Sequence, residues 1–152
     1  MEQNIVVKTV TLEPVRIYSL RKKMSLKDFD EVFTTLYATA ARQKLGIAGP
    51  PITIYHDEEF DPEHSDIEVG VPVTGSGDGV RTLEGGLCCY ATHIGPYDAQ
   101  FSSIYAALTE WIDANGYTLN GPPYDKYVRG YSDEGLPPSE FVTEVYFPIR
   151  QK

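Results

Sequence analysis

The sequence predicts an α+β domain of two tandem β-α-β-β units: an antiparallel sheet, two helices on one sheet face, and a ligand groove between the halves. Three observations carry this: an internal repeat, two helical stripes, and strands that alternate apolar with polar residues. Shifted by 72 positions, Tyr18 falls on Tyr90, Phe33 on Tyr105, Leu36 on Leu108, Gly49-Pro50-Pro51 on Gly121-Pro122-Pro123, and Tyr55 on Tyr127. Across a loop four residues longer in the second half, IEVGVPV (67–73) falls on TEVYFPI (143–149). This aligns Glu68 with Glu144 and Pro72 with Pro148. So many matches in a fixed order indicate duplication within one domain over 1–152, with repeat 1 at about 5–74 and repeat 2 at about 81–150.

In repeat 1 the first strand is expected at 15–20 and a helix at 26–45. Ser25 with Asp28 resembles a capping box, Asp standing in for the usual Glu or Gln. Phe29, Val32, Phe33, Leu36 and Ala40 recur at helical spacing, and Gly46 is the expected left-handed stop. Strands at 52–56 and 67–73 complete the unit. In repeat 2 the strand is 87–93, and Gly95-Pro96-Tyr97-Asp98 turns into a helix, proline suiting the first turn. Phe101, Ile104, Tyr105, Leu108, Trp111 and Ile112 form its stripe, and Asn115-Gly116 ends it. Trp111 and Phe33 are therefore expected in the core. Strands at 124–130 and 142–149 follow. The acidic loop from His56 to Asp66, with His64, lacks metal-ligand spacing and is expected to be solvated. Gly75-Ser76-Gly77-Asp78-Gly79 lacks a phosphate-loop pattern and is expected to be a connector.

Composition narrows the classes of partner. The chain of 152 residues has a formal net charge of −9, and its longest basic run is Arg21-Lys22-Lys23. A phosphate backbone would be repelled, so direct nucleic-acid binding is not expected. No apolar run reaches the ~20 residues of a membrane span, and no signal-peptide pattern opens the chain, so the expected location is the cytoplasm, away from membranes. Adjacent Cys88 and Cys89 point to opposite faces of a strand and form neither a disulfide framework nor a metal motif. No metal and no cofactor is expected.

Alternation assigns the sheet faces. Val145, Phe147 and Ile149, and likewise Ile67, Val69, Val71 and Val73, should receive the helices. Cys89 and Ala91 suit the same face. The helix-free face should then carry Cys88, Tyr90 and Thr92, with Arg16, Tyr18 and Leu20 added through the repeat. Candidate ligand-binding residues are Glu144, Tyr146, Tyr90, Tyr18, Glu68 and Tyr127. Aromatic walls with a carboxylate suit a flat, amphipathic or cationic molecule. The alternative is the wet face of an antiparallel sheet. His93, beside the turn, is expected to hydrogen-bond there.

The segments CYATHIGPYDAQFSSIYAALTEWIDANGY, GPPYDKY and TEVYFPI resemble the GyrI-like small-molecule-binding family, which includes effector-binding domains of AraC-type and MerR-type multidrug regulators. The likeness covers nearly the whole chain. It implies the duplicated fold, a ligand groove between halves, and a pocket glutamate at Glu144. No DNA-binding helices precede the first strand, so a stand-alone binding module is expected. The resemblance implies two alternatives. In one, Glu144 is the acid/base of a hydrolase of cyclopropane-containing or other reactive natural products. In the other, the chain is an inhibitor that binds a protein partner.

Overall fold

In the computed structural model the described residues are 5–57, 63–96, 99–130 and 135–152, leaving aside the side chains of 26 and 99–102. Tyr97-Asp98, the Phe101 side chain and the acidic loop at 58–62 therefore lie outside the described residues. The elements are β1 (Lys8–Leu12), β2 (Val15–Met24), α1 (Phe29–Arg42), β3 (Gly46–Ile47), β4 (Ile52–Tyr55), β5 (Ser65–Thr74) and β6 (Val80–Leu83). They continue as β7 (Gly86–Ile94), α2 (Ala99–Ala114), β8 (Tyr117–Leu119), β9 (Tyr124–Arg129) and β10 (Val142–Gln151). Antiparallel strands with two helices make the α+β class that the repeat indicates. No described helix is long and apolar enough to cross a membrane.

The chain forms two compact units: residues 13–85, and residues 86–152 with the segment before 13. The first has strand order β6-β2-β5-β4, with β3 on the end of β5; the second has β1-β7-β10-β9, with β8 on the end of β10. Thus β1, at the start of repeat 1, pairs with β7 of repeat 2, and β6, at the start of repeat 2, pairs with β2 of repeat 1. Matched details confirm the duplication. The Ala48 N–H donates to Pro72 O and the Asn120 N–H to Pro148 O, both at 2.8 Å. Gly49 and Gly121 each face the proline ring so held.

Within each unit the helix stripe packs on the aliphatic strand face. Val32, Leu36 and Ala40 of α1 bury against Ile67, Val69, Val71 and Val73. Ile104, Leu108 and Ile112 of α2 bury against Cys89, Ala91, Val145, Phe147 and Ile149. Phe33 and Trp111 are partly buried at the margins of these clusters, Trp111 stacked on Tyr117. Leu108 is fully buried at the centre of its cluster. Leu108→Ala should cost about 2–5 kcal/mol, lowering the melting temperature by about 2–4 °C per kcal/mol in a chain of this size. A melting curve like the parent's would show that α2 does not carry the core.

Local stops and starts differ in detail. Ser25 N–H donates to the Asp28 carboxylate, but Ser25 Oγ accepts from Lys27 N, because a 3-10 turn at Leu26–Asp28 precedes α1. The left-handed residue after α1 is Lys44, at φ 60°, and Gly46 is extended in β3. Gly116, at φ 78°, ends α2 as the sequence indicates. The 75–79 connector is tied down: its Gly79 carbonyl accepts from Ser19 N–H, and Asp78 O accepts from Gln43.

One face assignment is corrected. Tyr18 and Leu20 lie on the helix face: Tyr18 packs with Val32, Leu36 and Ala40, and its hydroxyl donates to Thr39 Oγ1 of α1 at 2.8 Å. Tyr18 pairs with Val71, whereas Tyr90 pairs with Tyr146; Val71 is equivalent to Phe147, whose partner is Cys89. The true equivalent of Tyr18 is thus Cys89, 71 positions on, and that of Tyr90 is Ser19. A slip of one residue in a strand exchanges every side chain between faces.

Candidate functional site

The helix-free face of the 86–152 unit holds a rung of three tyrosines. Tyr90 on β7, Tyr146 on β10 and Tyr124 on β9 stand directly opposite one another in register. Their rings stack in series: Tyr90 and Tyr146 at 5.0 Å and 18°, Tyr146 and Tyr124 at 5.2 Å and 15°. Cross-strand neighbours on one sheet face come close enough for such ring contacts. Tyr124 and Tyr146 are buried, and Tyr90 is half-buried. This face is not the wet face of an antiparallel sheet.

Glu144, two residues before Tyr146 and on the same face, is half-buried and accepts a 2.8 Å hydrogen bond from the Tyr146 hydroxyl. Burial first, and then this carboxylate, push the Tyr146 phenol well above its ordinary range, so it stays a donor. Burial likewise raises Tyr124, whose hydroxyl hydrogen-bonds with the Cys88 thiol. Burial raises the Cys88 thiol too, which leaves it no thiolate character near neutral pH. Lys126, opposite Glu144 in register, holds its Nζ 5.2 Å from the centroid of the Tyr146 ring. The face therefore already carries a cation on an aromatic ring beside a carboxylate.

The remaining sequence candidates are placed elsewhere. Tyr127 shares its strand face with Asp125, whose carboxylate accepts from Tyr105 of α2, so Tyr127 is on the helix side and not beside Tyr124 and Lys126. Its repeat mate Tyr55 likewise packs against the α1 cluster. Glu68 belongs to the 13–85 unit, where its carboxylate is enclosed. Arg81 grips it with Nε 2.8 Å from Oε2 and Nη2 2.7 Å from Oε1; Ser19 Oγ donates to Oε2 at 2.6 Å, and His56 Nε2 lies 2.9 Å from Oε1. Burial would raise the Glu68 pKa, but the hydrogen bonds from Arg81, Ser19 and His56 outweigh it and hold it at about 2. Glu68 is thus a closed ion-pair centre, and His56 is part of it rather than of a solvated loop. His93 is buried with Nε2 2.9 Å from Pro96 O, the turn contact expected of it.

Tyr124, Lys126 and Arg81 escaped the sequence reading. The β9 alternation was the available signal: Tyr124 and Lys126 share one parity, Asp125 and Tyr127 the other. A buried aspartate on the core side disguised which parity faces inward.

Residues 6–150 match the family model for the GyrI-like small molecule binding domain. The chain belongs to this family. The GyrI-like chain is similar in fold to the EcmrR C-terminal domain, with TM-score 0.89, 21% identity, and coverage of 99% of this chain and 100% of that one. In the EcmrR–DNA complex it matches at TM-score 0.87 and 21% identity over 97% of its own length, and spans 58% of the EcmrR chain. A hydrolase from Listeria innocua matches at TM-score 0.70 and 13% identity, covering 95% and 91%. SAV2435, solved bound to tetraphenylphosphonium, matches at TM-score 0.61 and 12% identity, covering 95% and 94%. At these identities the likeness is one of fold. No curated protein matches the sequence significantly.

The placement of Tyr18 gives a test that separates fold from site in this GyrI-like domain. Tyr18→Phe removes the bond to Thr39 and should cost about 0.5–1.5 kcal/mol of stability, with ligand affinity unchanged. Chemical denaturation and a binding titration on the same variant check both halves. Lost affinity in a fully stable variant would return Tyr18 to the ligand face.

Proposed function

We propose that this GyrI-like domain binds a cationic, aromatic or amphipathic small molecule on the Tyr90–Tyr146–Tyr124 face, with Glu144 as its anionic anchor. The carrying observation is the three-ring rung whose middle ring, Tyr146, donates its hydroxyl to the Glu144 carboxylate. Tyr90, the half-buried end ring, offers apolar area backed by the buried rings behind it, and a partly desolvated carboxylate selects positive charge. Lys126 supports this from within the chain, because its ammonium already occupies the ring face. The tetraphenylphosphonium held by SAV2435 is a cation of this kind, carried on the same fold.

A hydrolytic reading has one specific support, the Tyr146–Glu144 pair: a neutral phenol donor beside a carboxylate is a proton-transfer arrangement. The Listeria hydrolase shares the fold. Both readings use the same face, so one experiment divides them. Thermal shift and calorimetry with tetraphenylphosphonium and with neutral triphenylphosphine oxide test charge selection; electrophilic natural products, followed by product analysis, test turnover. Stabilisation by the cation well beyond the neutral compound, with the compound recovered unchanged, is expected. Equal stabilisation by both would remove Glu144 as anchor.

A further inference from the structure

The two repeats treat their aligned glutamates differently. Strand register equates Glu68 with Glu144, Gly70 with Tyr146, Ser19 with Tyr90 and Arg81 with Val10. Where repeat 2 fills the rung with rings, repeat 1 has a glycine and a serine. An added Cβ at Gly70 would stand 3.3 Å from both Ile17 Cδ1 and Ser19 Cβ, closer than most such contacts, so a side chain there would need its neighbours to give way. Over these small residues the Arg81 guanidinium reaches Glu68 and meets both carboxylate oxygens at 2.7 and 2.8 Å. The carboxylate side chain is 4% exposed, while that of Arg81 is 42% exposed, so the cation enters from the solvent side of the pocket.

We infer that the Glu68 pocket is a second copy of the carboxylate site, kept filled by the chain's own guanidinium, and that its ligand class is an alkylguanidinium or amidinium. Arg81 behaves as a tethered ligand. Its fork matches the carboxylate in a way an ammonium cannot. Only the kinship of the two pockets rests on the role proposed for Glu144; the Glu68–Arg81 geometry stands without it.

Arg81→Ala deletes the side chain beyond Cβ, and ethylguanidinium carries the deleted atoms. Millimolar ethylguanidinium should raise the melting temperature of Arg81→Ala by at least about 2–4 °C, as a ligand bound only by the folded state does. The parent should not gain, and ethylammonium should do less than ethylguanidinium. The same rise should appear when Glu144→Gln is added, and vanish when Glu68→Gln is added. If Arg81→Ala does not fold unaided, refolding yield with and without ethylguanidinium replaces the melting curve, with the same expectation. No selective rescue in either readout overturns the inference. So does rescue that survives Glu68→Gln, or rescue lost with Glu144→Gln, which would move the cation to the other carboxylate.

Discussion

Arg81→Met is expected to destabilise the protein by about 3 kcal/mol at neutral pH, and adding Glu68→Gln should recover most of that loss. Breaking a buried ion pair by removing one partner typically costs about 3–5 kcal/mol, because the other charge stays buried without compensation. The lower end applies because Arg81 is partly exposed. Glutamine in place of Glu68 keeps the shape and removes the stranded charge, so the double variant should be more stable than Arg81→Met alone. The pH profile has a defined sign. Hydrogen bonds hold the folded Glu68 at about 2, below its ordinary value of 4.5. Its stabilisation is therefore complete above about pH 5 and is lost as pH falls from 4.5 towards 2, a total on the order of 3 kcal/mol. In Arg81→Met the largest contribution opposing burial is gone, so Glu68 takes up a proton more readily than in the parent, and the deficit against the parent should shrink in acid. Urea unfolding at pH 7 and pH 3 measures this. A deficit equal at both would show that Glu68 is not the charge being stranded.

Glu144→Gln should leave the fold intact and weaken binding of tetraphenylphosphonium or a comparable cation by about 5- to 150-fold. This corresponds to the ~1–3 kcal/mol carried by a charge-assisted contact. Glu144 is half-buried on a face whose neighbours are rings, so its charge is less screened than a surface carboxylate's. Loss of the Tyr146 bond to a charged acceptor costs little stability, since a glutamine oxygen accepts in the same place. Neutral aromatic compounds should bind both forms alike. If a turnover substrate emerges, its hydrolysis should fall at least about 100-fold in the variant while binding persists. Parent-like affinity for every cation would show that the rings act without the carboxylate.

The sequence by itself determined the duplication, the α+β class and the core stripes. It also determined that Glu144 and Tyr146 share the helix-free face with Tyr90. These are local facts: Val145, Phe147 and Ile149 are apolar in strict alternation, so their neighbours have only one face left. Tertiary structure decided the rest through strand parity and pairing. Tyr18 matches Tyr90 in type at 72 positions, yet the strand register is 71, and one residue of slip moves Tyr18 under a helix. The β9 strand is ambiguous alone, because polar Asp125 is on the core side, where it accepts from Tyr105. The strands β1 and β6 pair across the repeats, which no single-repeat pattern announces, and only that pairing brings Arg81 to Glu68. Equal glutamates in sequence thus became an open carboxylate beside stacked tyrosines and a closed one under a guanidinium. The partner of a charge is set by long-range pairing, and alternation along one strand carries no information about it.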